Sequence, residues 1–94
     1  MSLNKTERIV SNHKYLSEKL DAGKIAEQLF QEGVLNTREL EDIHSVAEQP
    51  TRAAEVLLDL VLRETEDFYD RFLDSLLKTE QHHIHQWIVL EQGL

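Results

Sequence analysis

Hydrophobic positions in this chain recur at steps of three and four, and the densest run is Thr51 to Leu77, TRAAEVLLDLVLRETEDFYDRFLDSLL. Ala54, Leu57, Leu58 and Val61 fall at i, i+3, i+4 and i+7, the spacing of one helical face. Ala53, Val56 and Leu60 widen that stripe until little polar surface is left. A helix apolar over most of its circumference is expected at the centre of a bundle, enclosed by other helices. Phe68, Phe72 and Leu76 repeat the pattern at steps of four, flanked by Tyr69, Leu73 and Leu77. The RETED between the two halves is too polar for core and too short for a linker. Two antiparallel helices joined by a tight turn are expected.

The same reading extends along the chain. Asn4 or Thr6 is placed to cap a first helix whose buried stripe is Ile9, Leu16 and Leu20, with Val10 and His13 beside it. Asp21, Ala22 and Gly23 interrupt. A second helix from about Lys24 carries Ile25, Leu29 and Phe30 and ends at Gly33, a residue that tolerates φ > 0. Val34 and Leu35 then fold back on the core. Asn36 and Thr37 are N-cap candidates for a short third helix through Ile43 and Val46. Pro50 stands where the fourth helix begins. After the central pair, Thr79 is expected to cap a sixth helix with Ile84, Trp87, Ile88 and Leu90, closed by Gly93. Trp87 reads as a core anchor between two isoleucines. The Phe68, Tyr69 and Phe72 group is core as well, with the Tyr69 phenol reaching solvent. No β-type alternation and no internal repeat is visible. The prediction is an all-α bundle of six short helices.

Ninety-four residues make one domain, 1–94, with a core of about 5–91. The absence of cysteine excludes disulfides, thiolate metal sites and a cysteine nucleophile. No apolar run approaches the ~18 residues of a membrane span, and no apolar signal segment opens the chain, so no membrane partner is expected. A net charge of −8 argues against nucleic acid, which requires a basic footprint. The charge is also segregated. Residues 1–24 hold five bases against three acids, residues 25–48 only Arg38 against six acids, and residues 49–94 four bases against nine acids. A mildly basic first helix therefore precedes strongly acidic segments, a distribution able to steer and orient a partner. Charged solvent faces on an ordinary helical domain account for the same numbers.

Chemistry is sparse. The serines lack an elbow or triad-like setting, and there is no GxSxG, no phosphate-cradling glycine loop and no HExxH. Acids are scattered over predicted solvent faces, so neither an enzyme nor a cofactor is expected. His82, His83 and His85 raise the alternative of a small metal-binding protein, since His82 and His85 lie at i, i+3. A His-rich helix start is the more ordinary reading.

Three stretches carry a resemblance: LFQEGVLNTRELEDI (Leu29 to Ile43), PTRAAEVLLDLVL (Pro50 to Leu62) and EDFYDRFLDSLL (Glu66 to Leu77). In this order, with Glu32, Gly33, Val34 and Leu35 at the junction of helices two and three, the chain resembles a caspase recruitment domain from about Thr6 to Ile88. The resemblance implies a six-helix antiparallel Greek-key bundle of the death-fold superfamily. It also implies a cytoplasmic module that binds another such domain, in a caspase, an adaptor or a NOD-like receptor, within apoptotic, inflammasome or NF-κB signalling. Glu27, Glu32, Glu39, Glu41 and Asp42 match the family's acidic partner-binding positions on helices two and three. The arrangement is similar to the acidic domains of the apoptosome scaffold and some NOD-like receptors. His13, Lys14 and Arg52 match the complementary basic face, which is thin, so a homo-oligomer through this one interface is less expected than a basic partner. Reversing Glu32 and Glu39 to arginine is expected to abolish capture without changing the fold. The competing reading is a structural helical domain with no homotypic partner.

Overall fold

Helix-period patterning becomes seven helices in the computed structural model, which describes the backbone of residues 5–91 and the side chains of residues 6–89. They are α1 (Lys5–Ser11), α2 (His13–Lys19), α3 (Ala22–Gln31), α4 (Thr37–His44), α5 (Pro50–Arg63), α6 (Glu66–Lys78) and α7 (His82–Glu91). No strand occurs among the described residues. The expected roles of Asn4 as a cap, Leu90 as a core residue and Gly93 as a helix end lie outside them.

The expected first helix is two, because Asn12 interrupts it. Asn12 Nδ2 donates to the Arg8 carbonyl at 2.8 Å, and its Oδ1 accepts from Trp87 Nε1 at 2.7 Å. A buried side-chain amide bonded to the preceding turn competes with the helix ladder, and Asn does this readily. Ile9, Leu16 and Leu20 remain buried across the break, so the apolar stripe runs on unaltered.

Other boundaries follow local chemistry. Asp21 caps α3 by accepting from the Lys24 N–H, so the interruption is only Leu20 and Asp21. Pro50 opens α5, where its missing N–H costs nothing. Glu64 and Thr65 alone link α5 to α6, and Thr65 Oγ1 accepts from the Phe68 N–H. Thr79 ends α6 instead of starting α7, with its hydroxyl bonded to the Ser75 carbonyl.

The core is one cluster drawn from every helix. α5 is its centre, burying Ala53, Ala54, Leu57, Leu58, Leu60 and Val61 against α1 to α4. Its enclosure stops at a polar stripe of Arg52, Glu55, Asp59 and Arg63, all exposed. α6 turns Phe68, Phe72 and Leu76 inward, packs mainly on α3 and α7, and touches α5 less than its neighbour in sequence was expected to. Tyr69 is buried, and its phenol oxygen accepts from Arg8 Nη1 at 3.3 Å instead of reaching solvent. Trp87 is no core anchor either. It is 43% exposed and stacks on Tyr15 with centroids 4.3 Å apart, while Ile84 and Ile88 are the fully buried residues among the described side chains of α7.

Candidate partner-binding surface

The acidic residues at 27 to 42 are carried by α3 and α4, which pack side by side. α3 buries Ala22, Ile25, Ala26 and Leu29, a stripe that leaves Lys24, Glu27 and Gln31 on its far side. Its C-terminus is closed by Gly33 at φ 75°, with Val34 N–H on the Leu29 carbonyl (2.8 Å) and Gly33 N–H on the Phe30 carbonyl (3.0 Å). This double bond pattern needs a left-handed residue, which glycine supplies without a Cβ clash. The turn returns Val34 and Leu35 to the core. α4 then starts with a reciprocal cap: Asn36 Oδ1 accepts from the Glu39 N–H, and Glu39 Oε1 accepts from the Asn36 N–H.

The five predicted acids consequently fall into two groups. Glu41 and Asp42 are exposed on α4, and among the described residues no cation pairs with either side chain. Glu27 is exposed and reaches His44 of α4 at 3.7 Å, a bridge between the two acidic helices. Glu39 is committed to the cap. Glu32 is committed more deeply, with only 16% of its side chain exposed. Its carboxylate takes Lys78 Nζ at 2.9 Å, accepts from Gln28 Nε2, and lies 3.9 Å from Arg71. Lys78 also holds Asp74, and Arg71 holds Asp67, each one turn back on α6. The Gln28 amide first, then the Lys78 ammonium, hold the Glu32 carboxyl below its ordinary value of 4.5. The hydrogen bonds that Lys78 donates, first to Asp74 and then to Glu32, raise its ammonium above the ordinary value. Glu32 is thus a clasp between α3 and α6. With Glu32 in this clasp and Glu39 in the cap, reversing both is expected to lower stability as well as alter the surface, so an unchanged melt is no longer the expected result.

The predicted bases are brought partly together. His13 is half-buried on α2, Lys14 is exposed beside it, and Arg52 is exposed on α5. His13 and Arg52 line one shallow cleft, but Glu55, Val56 and Asp59 of α5 line it too. Two carboxylates in that cleft offset the positive charge, so this face is mixed instead of basic. His82 and His83 are exposed and His85 half-buried on α7. Among the described residues no group of three or more His, Asp or Glu is placed to hold a metal ion.

Two features escape the sequence reading. One is the Glu32 clasp, of which only the i, i+4 pairs Asp67 with Arg71 and Asp74 with Lys78 are visible in the pattern. The other is Phe30, an apolar residue of the acidic helix that is 40% exposed and lies outside the buried core.

A family model described as caspase recruitment domain matches residues 6–89. No curated protein and no solved structure gives a significant match.

Proposed function

The chain belongs to the caspase recruitment domain family, and from that premise we propose that it recruits a partner recruitment domain by offering the outer faces of α3 and α4 to a basic surface. The family consists of interaction modules, not enzymes, whose members bind other death-fold domains. An apoptotic or inflammatory signalling complex in the cytoplasm is the setting proposed for it.

The observation that carries this reading is the exposed, uncompensated pair Glu41 and Asp42 beside Glu27 on adjacent helices. Residues 25–48 hold six acids against Arg38 alone. Exposed pairs contribute under about 1 kcal/mol each, so several must act together and salt must weaken them. Their larger effects are on the association rate and the orientation of encounter. The mixed α2–α5 cleft supports a partner other than a second copy, because Glu55 and Asp59 would repel the acidic face of another chain.

The test is double reversal of Glu41 and Asp42 to lysine, followed by titration against purified basic recruitment domains at low and physiological salt. Neither side chain supports the fold, so melting should hold while binding falls at least about tenfold. Binding that survives the reversal unaltered refutes the acidic surface.

A further inference from the structure

We propose that Phe30 is the apolar centre of the acidic surface and that the partner group it receives is an arginine, stacked on the phenyl ring and paired with Glu27. This deepens the function proposed above and rests on it.

Phe30 stands apart from the buried core. The buried face of α3 is complete with Ala22, Ile25, Ala26 and Leu29. Phe30 is neither a core residue nor one of the half-buried hydrophobics packed against the core, and its carbonyl accepts from the Glu32 and Gly33 N–H groups that close α3. A single exposed hydrophobic is unremarkable by itself. Its position is what matters. Glu27 lies one turn earlier at i−3, a spacing that makes the two side chains neighbours. Glu27 reaches across to His44 of α4, so the flank of α3 that carries Phe30 borders the helix bearing Glu41 and Asp42. An approaching partner meets an aromatic ring with carboxylates at its edge.

A guanidinium satisfies both features at once. It is planar, stacks on aromatic faces, and pairs with a carboxylate through a fork of N–H donors. Lysine supplies the charge without the stacking plane. An aliphatic side chain would cover the ring but strip water from Glu27 with nothing in exchange. A second copy of this chain is a poor occupant, since its exposed Arg52 shares a cleft with Glu55 and Asp59.

The experiment is calorimetric titration of this chain against a panel of recombinant basic recruitment domains, each also prepared with its surface arginines changed to lysine. Phe30→Ala and Phe30→Leu are titrated in parallel, with melting curves as the check on folding. Phe30→Ala should weaken binding about tenfold, as aromatic anchors at interfaces do, and leave the salt dependence unchanged. One Arg→Lys change in the partner should cost several-fold against the parent chain and little against Phe30→Leu, which keeps apolar bulk but loses the ring. Equal binding by parent, Phe30→Ala and Phe30→Leu overturns the Phe30 inference while the acidic surface stands. Failure of every basic domain to bind the parent overturns both. Self-association of the chain in sedimentation that Phe30→Ala disperses assigns the ring to a second copy and overturns the arginine partner.

Discussion

Glu80 adopts φ 62°, the one positive φ at a non-glycine residue among those described, and replacing it with glycine should stabilise the domain. It follows the end of α6 in the position that Gly33 occupies after α3. The bonding is the same: Gln81 N–H to the Leu76 carbonyl at 2.7 Å and Glu80 N–H to the Leu77 carbonyl at 3.2 Å. A left-handed residue with a Cβ costs roughly 1–2 kcal/mol. Glycine removes that cost but loses about 0.5–1 kcal/mol more backbone freedom on folding. Removing a negative charge from a helix C-terminus adds a few tenths of a kcal/mol. The net gain is about 1 kcal/mol, which raises Tm by roughly 4–8 °C in a domain of this size. Glu80→Ala separates the contributions, since it relieves the charge and keeps the backbone cost, so it should gain only a few tenths. Gly33→Ala is the mirror experiment and should lose about 1 kcal/mol. Thermal and urea unfolding followed by circular dichroism measure all three. The reasoning is refuted if Glu80→Gly is no more stable than Glu80→Ala. The turn also matters to the proposed surface, because Gln81 Oε1 accepts from the Asp21 N–H at 3.0 Å and so ties the start of α7 to the start of α3.

Three further outcomes are expected. Glu32 titrates below its ordinary value of 4.5 when folded, so its contribution is complete above that value and is lost as pH falls through the lowered one; the melting difference between parent and Glu32→Gln should close on acidification below 4.5, and a pH-independent difference would contradict the clasp. Asn12→Ala removes the acceptor for Trp87 Nε1 and should cost about 1 kcal/mol. Because Trp87 is the only tryptophan, its emission reports this site alone, and an unchanged spectrum would show that the contact does not hold α7 to the α1–α2 break. Phe72→Ala, at a fully buried ring, should cost about 3–5 kcal/mol by urea unfolding, a large share of the 5–15 kcal/mol typical of such domains.

The difference between what the pattern reveals and what it hides follows the range of the interactions involved. Period-3.6 stripes, Gly33, Asn36 and Pro50 act within a turn or two, and each is found where the sequence places it. Asn12 breaks a helix in concert with Trp87, 75 residues away, and no local rule anticipates that pairing. Trp87 satisfies the i+3 spacing of a core stripe. Among the described side chains of α7, Ile84 and Ile88 are the buried ones, and the indole lies on the flank where Tyr15 and Asn12 receive it. Glu80 carries no glycine signal, so its backbone is legible only once α6 and α7 are in place. The acidic surface shows the same division. Counting charge marks residues 25–48 correctly as acidic, yet charge count does not distinguish a carboxylate held by Lys78 from one facing water. Two of the five predicted acids support the fold, and the electrostatic attraction left to Glu27, Glu41 and Asp42 is small in physiological salt. With attraction that weak, selectivity among basic partners has to come from contact chemistry, and Phe30 is the one large apolar side chain on that helix pair that folding leaves exposed.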